Sequence, residues 1–121
     1  MKTTLRLFLF LAALNVLLAK AEAQSQGAMN QQAYADFKKA DAALNRIYAQ
    51  VLAKLDEEGQ TKLKTAQRAW VVFRDAQAEV DADEMRGGSA ARGLRAASLT
   101  EATRQRTQEL KALLKFLKVS P

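Results

Sequence analysis

The chain has 121 residues, a formal net charge of +6 and neither His nor Cys. That length suits one domain. Without imidazole or thiol, serine–histidine and cysteine–histidine catalysis are excluded, and tight zinc or copper binding lacks its preferred ligands, so no metal, no cofactor and no enzymatic role are expected.

The N-terminus has the layout of a secretory signal. Lys2 and Arg6 give a cationic start, residues 7–19 are apolar apart from Asn15, and Ala21-Glu22-Ala23 is a small-x-small cleavage site. This order predicts a cleavable signal peptide over residues 1–23. Its apolar run is well short of the roughly 20 residues that a membrane span needs. The expected location is the periplasm or the exterior. Without Cys the chain is not a lipoprotein of the kind anchored through an N-terminal cysteine. Removing residues 1–23 leaves 98 residues with 16 cations and 12 anions, a net of +4, since Lys2, Arg6, Lys20 and Glu22 depart.

Residues 24–29 are expected to be a flexible leader before a helical domain over residues 30–117. Asn30 is a fitting N-cap. Beyond it, Phe37, Leu44, Tyr48, Val51 and Leu55 recur at helical spacing, with Asp41 inside the stripe. Asp56-Glu57-Glu58 suits the cap and acidic first turn of a second helix, although Gly59 is also a candidate end for the first. The second stripe is Leu63, Ala66, Trp70, Phe73 and Val80, ending near Asp83. Arg86-Gly87-Gly88 breaks the pattern and Ser89 is a suitable cap for a third helix over about 90–117. There Leu99, Ala102, Leu110, Leu113 and Leu117 share a face with Arg106. No segment alternates at period two. The fold class is all-α, an up-down-up three-helix bundle.

Folding these helices back on one another sets Asp41, Arg74 and Arg106 in one layer, with Trp70 near Arg106 and Ala78 near Ser98. A carboxylate taken into a core needs a partner. Asp41 is therefore expected to pair with Arg74 or Arg106, and Arg106 is placed to stack on Trp70.

Asp41-x-x-Leu44-Asn45-x-x-Tyr48, then Gln67-Arg68-Ala69-Trp70-x-x-Phe73-Arg74-Asp75, then Gly88-Ser89, then Thr103-x-x-Arg106-x-x-x-Leu110, in that order, resembles the N-terminal domain of LprI-type lysozyme inhibitors over roughly residues 29–114. The resemblance implies a non-catalytic binding protein with lysozyme as partner. Members of the family usually carry Cys at the positions of Ala78 and Ser98, and often at that of Gln32, which implies an interhelical disulfide that this chain lacks. Loss of such a staple typically costs a small exported domain about 2–5 kcal/mol.

Lysozyme works with two carboxylates in a cleft. The turn over residues 85–92 is the candidate partner-binding element: Gly87 and Gly88 allow a narrow tip ending at Ser89, and Arg86 and Arg92 can fork onto carboxylates. The same residues also suit an ordinary interhelix turn with solvated arginines. Animal lysozymes are basic, as is this chain, so Asp81, Asp83 and Glu84 are the local acidic patch that would offset like-charge repulsion. Arg104, Lys111, Lys115 and Lys118 make the third helix basic. At a net of +4 this points away from nucleic acid and is compatible with loose association with an anionic membrane surface. The alternative function is a periplasmic helical scaffold or chaperone-like module that meets envelope lipids or unfolded chains through exposed apolar surface, with Phe116 and Val119 off the helical stripe.

Overall fold

The structure, a computed structural model, describes the backbone of residues 2–119 and the side chains of residues 11–119. The side chains of Lys2, Arg6 and the first part of the apolar run, and Pro121 altogether, lie outside the described residues. Three helices follow in order: α1 (Lys2–Leu52), α2 (Glu57–Ala82) and α3 (Ala91–Val119), with a short 3-10 turn at Asp83–Met85. Among the described residues there is no strand. Nor is any helix long and apolar enough to cross a membrane.

The first difference from the sequence reading is at the start. Residues 24–29 are helical, and Asn30 lies inside α1 rather than capping it. The segment has no Pro and only one Gly, so nothing in it interrupts i→i−4 bonding. Gln26 continues the ladder in its side chains, donating to Asn30 at 3.0 Å.

The α1–α2 connection is built from local signals. Asp56 caps α2, its carboxylate accepting the Gly59 amide at 2.8 Å, with Glu57 and Glu58 in the first turn. Both features favour the positive end of the helix dipole. Gly59 therefore sits in α2 and does not end α1. The Gln60 side-chain amide donates to the carbonyls of Leu52 and Leu55, both at 3.1 Å, and so ties the end of α1 and the connection to α2.

α3 is the central element. α1 packs chiefly on α3, α2 packs on α3, and α1 and α2 approach each other least. The apolar core gathers near the α1–α2 connection, where Leu44, Val51, Leu63, Leu110 and Leu114 are buried and Ile47, Tyr48, Leu52 and Trp70 pack around them. Burying one such aliphatic side chain contributes about 1.5–3 kcal/mol. Toward the other end the interior, Leu99 apart, is made of smaller groups: Ala40, Ala78, Ala82, Ala96, Thr100, Thr103 and Thr107. Two of these threonines turn their hydroxyls back onto their own helix, Thr100 to Ala96 and Thr107 to Thr103, each at 2.8 Å. That satisfies the hydroxyl without drawing on another element.

α2 faces differently from its expected stripe. Leu63 is buried and Trp70 half-buried, but Ala66, Phe73 and Val80 are on the outside. The face that meets α3 is Leu63, Arg74, Ala78 and Ala82. Small residues there let two helices approach closely, and an arginine replaces an apolar side chain at the centre.

Candidate functional site

Arg74 ties the three helices together. Only 8 % of it is exposed, and its guanidinium lies 5.0 Å from the Trp70 ring centre and 5.3 Å from that of Phe37. Its Nε and Nη2 both reach Asp75 Oδ1 at 2.9 Å. Nη1 donates to Asp41 Oδ1 on α1 and to Thr103 Oγ1 on α3, both at 3.4 Å. A buried cation is tolerated because its donors are occupied and its flat faces lie against rings. Arg106 sits one layer away. Its guanidinium is 6.0 Å from the same Trp70 ring, and it donates to Gln67 at 3.1 Å and Glu109 at 2.9 Å. Asp41 is thus bonded to Arg74, while Arg106 has other partners.

Because α1 and α2 diverge, an open cleft of about 800 Å³ runs between them. Asp41, Asn45, Tyr48, Gln67, Arg68 and Arg74 all line it. These residues come from two stretches of sequence, 41–48 and 67–74, and the fold brings both to one surface. Apolar Leu44, Leu52 and Val71 line it beside these polar groups.

The second candidate is the α2–α3 turn. Residues 83–89 are all exposed. Gly87 has φ of 76°, which favours glycine. Arg86 is forked onto Asp83, Nε to Oδ1 at 2.7 Å and Nη2 to Oδ2 at 2.5 Å, and this pairing holds its guanidinium protonated still further above its usual range. Such a solvent-exposed pair is weakly held and exchanges readily for another carboxylate. Arg92 lies beside a hollow of about 360 Å³ lined with Tyr34, Ala96 and Leu99. On the acidic side, Asp81 accepts from Ser98 at 2.5 Å and from Gln77 at 2.8 Å; these bonds, the Ser98 one foremost, hold its carboxyl below the usual carboxylate range. Glu79 pairs with Arg95 across the same two helices.

Sequence reasoning missed how the turn is held. Asn30 donates to the Ser89 carbonyl at 2.9 Å, across 59 positions of sequence, while its own carbonyl accepts from Gln26. A Cβ at Gly93 would come within 2.7 Å of that Asn30 oxygen, so a larger residue there would push the Asn30 side chain from its place against the turn. A polar residue read as a helix cap is instead the anchor of the turn; only its placement between Gln26 and a distant Gly-rich turn hinted at this. Replacing Asn30 with Ala is expected to lower stability by about 1 kcal/mol and to speed amide hydrogen exchange across residues 87–91 selectively. Unchanged exchange there would mean that the turn holds itself.

The fold is an all-α bundle of three helices, with a buried arginine where they meet and an exposed turn between α2 and α3. The chain belongs to the lysozyme inhibitor LprI family, whose model matches residues 18–110. A relative from Rhizobium meliloti (strain 1021), described as uncharacterised, is 41% identical over 106 residues, covering 77% of this chain and 76% of its own. No solved structure matches. The family is one of inhibitors, a non-catalytic activity, and its label names lysozyme as the partner.

Proposed function

We propose that this chain is an exported, non-catalytic binding protein of the lysozyme-inhibitor type, processed near residue 23, working in the periplasm or outside the cell. Its α2–α3 turn would block the lysozyme cleft, with Arg86, Gly87, Gly88, Ser89 and Arg92 as the contact residues. The observation that carries this reading is the turn itself: exposed from residue 83 to 89 at the end of the bundle, yet fastened from behind by Asn30. A tip that is already ordered loses little further freedom on binding. Arg86 can exchange Asp83 for a catalytic carboxylate, and Arg92 can supply a second forked donor pair. The layer of Asp41, Arg74, Arg106 and Trp70 has a structural role in this reading, holding the helices that carry the turn.

The test is inhibition of muramidase activity by the exported protein beside an Arg86→Ala/Arg92→Ala variant. Charge-assisted bonds of this kind contribute about 1.5–3 kcal/mol each, so the variant should inhibit at least tenfold more weakly. Full inhibition by the variant would move the contact surface elsewhere, the α1–α2 cleft first. No inhibition of animal or bacterial lysozymes at micromolar protein would overturn the inhibitor reading.

A further inference from the structure

The α1–α2 cleft carries charge that the bundle does not use. Lys64, Arg68 and Arg74 line it against a single carboxylate, Asp41. Asp41 and Arg74 are paired with each other, and the second Asp41 oxygen accepts from Asn45 at 3.4 Å. Lys64 and Arg68 stand one turn apart on α2. Both are exposed, and neither side chain has a polar partner among the described residues. Gln67 adds a donor between them. Its side-chain carbonyl accepts from Arg106 at 3.1 Å, which leaves its NH2 group unspent beside the two cations. Two free cations and a free amide at one place recognise an anionic oxygen group.

The rest of the lining asks for an apolar body. Leu44, Leu52, Val71 and Val72 all contribute, and Val72 is 70 % exposed. The two ends of the cleft differ in charge. Lys64 stands ten residues, about 15 Å of helix, from Arg74, and at that far end the Asp41–Arg74 pair offers no open cation. An anionic head is therefore drawn to Lys64 and Arg68, while a chain attached to it runs past Val71 and Val72 toward the pair. At about 800 Å³ the cleft is the size of a small-molecule site. Its free donors gather at one end. That suits a molecule with one charged head better than an extended peptide, which has polar groups to satisfy along its whole length.

We propose that the α1–α2 cleft binds a single-chain anionic amphiphile. Its alkyl chain lies along Leu44, Val71 and Val72, and its carboxylate or phosphate head is held by Lys64, Gln67 and Arg68. The proposal does not rest on the inhibitor reading, since no residue of the α2–α3 turn lines this cleft.

Isothermal titration calorimetry of the exported protein with dodecanoate and with dodecyl phosphate, each below its micelle concentration, tests it. Saturable one-site binding of at least one of them is expected, and the tighter of the two identifies the head. Lys64→Glu with Arg68→Glu should weaken binding by about tenfold or more. Val72→Asp should weaken it several-fold by placing a charge against the chain. Helicity and melting temperature should stay unchanged in both variants, because all three side chains are exposed. Dodecyltrimethylammonium, with the same chain and a cationic head, should not bind. No binding of either anionic amphiphile at about millimolar concentration would overturn the proposal. Binding undiminished in the Lys64→Glu/Arg68→Glu variant, or equal for the cationic amphiphile, would overturn it too. So would binding confined to anionic vesicles or to an acidic helical peptide, which would give the surface to a bilayer or to a protein segment instead.

Discussion

Replacing Arg74 with alanine is expected to destabilise the bundle by about 3 kcal/mol, the largest effect of any polar substitution in it. Three losses combine. The guanidinium filling the space between Trp70 and Phe37 disappears, leaving a cavity that the rings close only in part. The link from α2 to Asp41 on α1 and Thr103 on α3 is broken. Asp41 and Asp75 keep their charges without a cation, although their side chains are 36% and 47% exposed and water partly replaces it. This hydration keeps the loss at the low end of the range for a broken buried pair. In a domain of this size about 3 kcal/mol lowers the melting temperature by on the order of 15 °C. Arg74→Lys should fall between, because an ammonium keeps the charge but cannot bond forked to Asp75 while lying flat on two rings. Arg74→Met retains most of the packing and isolates the charge. Thermal melts of the three variants separate these contributions; a melting temperature for Arg74→Ala within a degree or two of the parent would show that the layer holds nothing together.

The second large effect runs the other way. Introducing cysteine at both Ala78 and Ser98 is expected to form a disulfide between α2 and α3 and to raise stability by roughly 3 kcal/mol, the chain-entropy value for a closed loop of about 20 residues. These are the positions where family resemblance implies cysteines. The antiparallel register of α2 on α3 favours the same pair, with Glu79–Arg95 on one side and Asp81–Ser98 on the other. Ala78 is fully buried against α3, so the sulfur at 78 is shielded from water while that at 98 is only half-buried. The Ser98 bond to Asp81 is lost, which trims the gain slightly. The check is closure by air oxidation with unchanged helicity, followed by a melting temperature that drops back on reduction. Failure of the thiols to close would mean that the two helices sit in a different register.

What could be read from the sequence was mostly local. The cap at Asp56, the acidic turn after it and the break at Gly87-Gly88 depend on neighbours a few positions away, and α2 and α3 begin close to where those signals put them. The inner face of α2 was not legible, for two reasons. Its outer face carries the more regular apolar repeat, with Phe73 and Val80 in it, and such a repeat looks like a core face whichever way it points. The true inner face is Ala78, Ala82 and Arg74, whose burial rests on close helix approach and on partners from α1 and α3. The threonines of α3 were passed over likewise, because a hydroxyl bonded back to its own helix behaves in a core like a small aliphatic group. At the turn, the glycines were visible but Asn30 was not, since its bond to Ser89 exists only once α1 lies beside the start of α3.

The central position of α3 also decides the order in which this molecule can assemble. α1 has little to do with α2, its neighbour along the chain, and finds its main surface on α3. A growing chain that has produced only α1 and α2 holds half of each interface and the whole of neither. Closing the α1–α3 interface means bringing together segments about sixty positions apart, as Asn30 and Ser89 are, and such long-range contacts are formed late and slowly. The bundle therefore stays open until α3 has emerged.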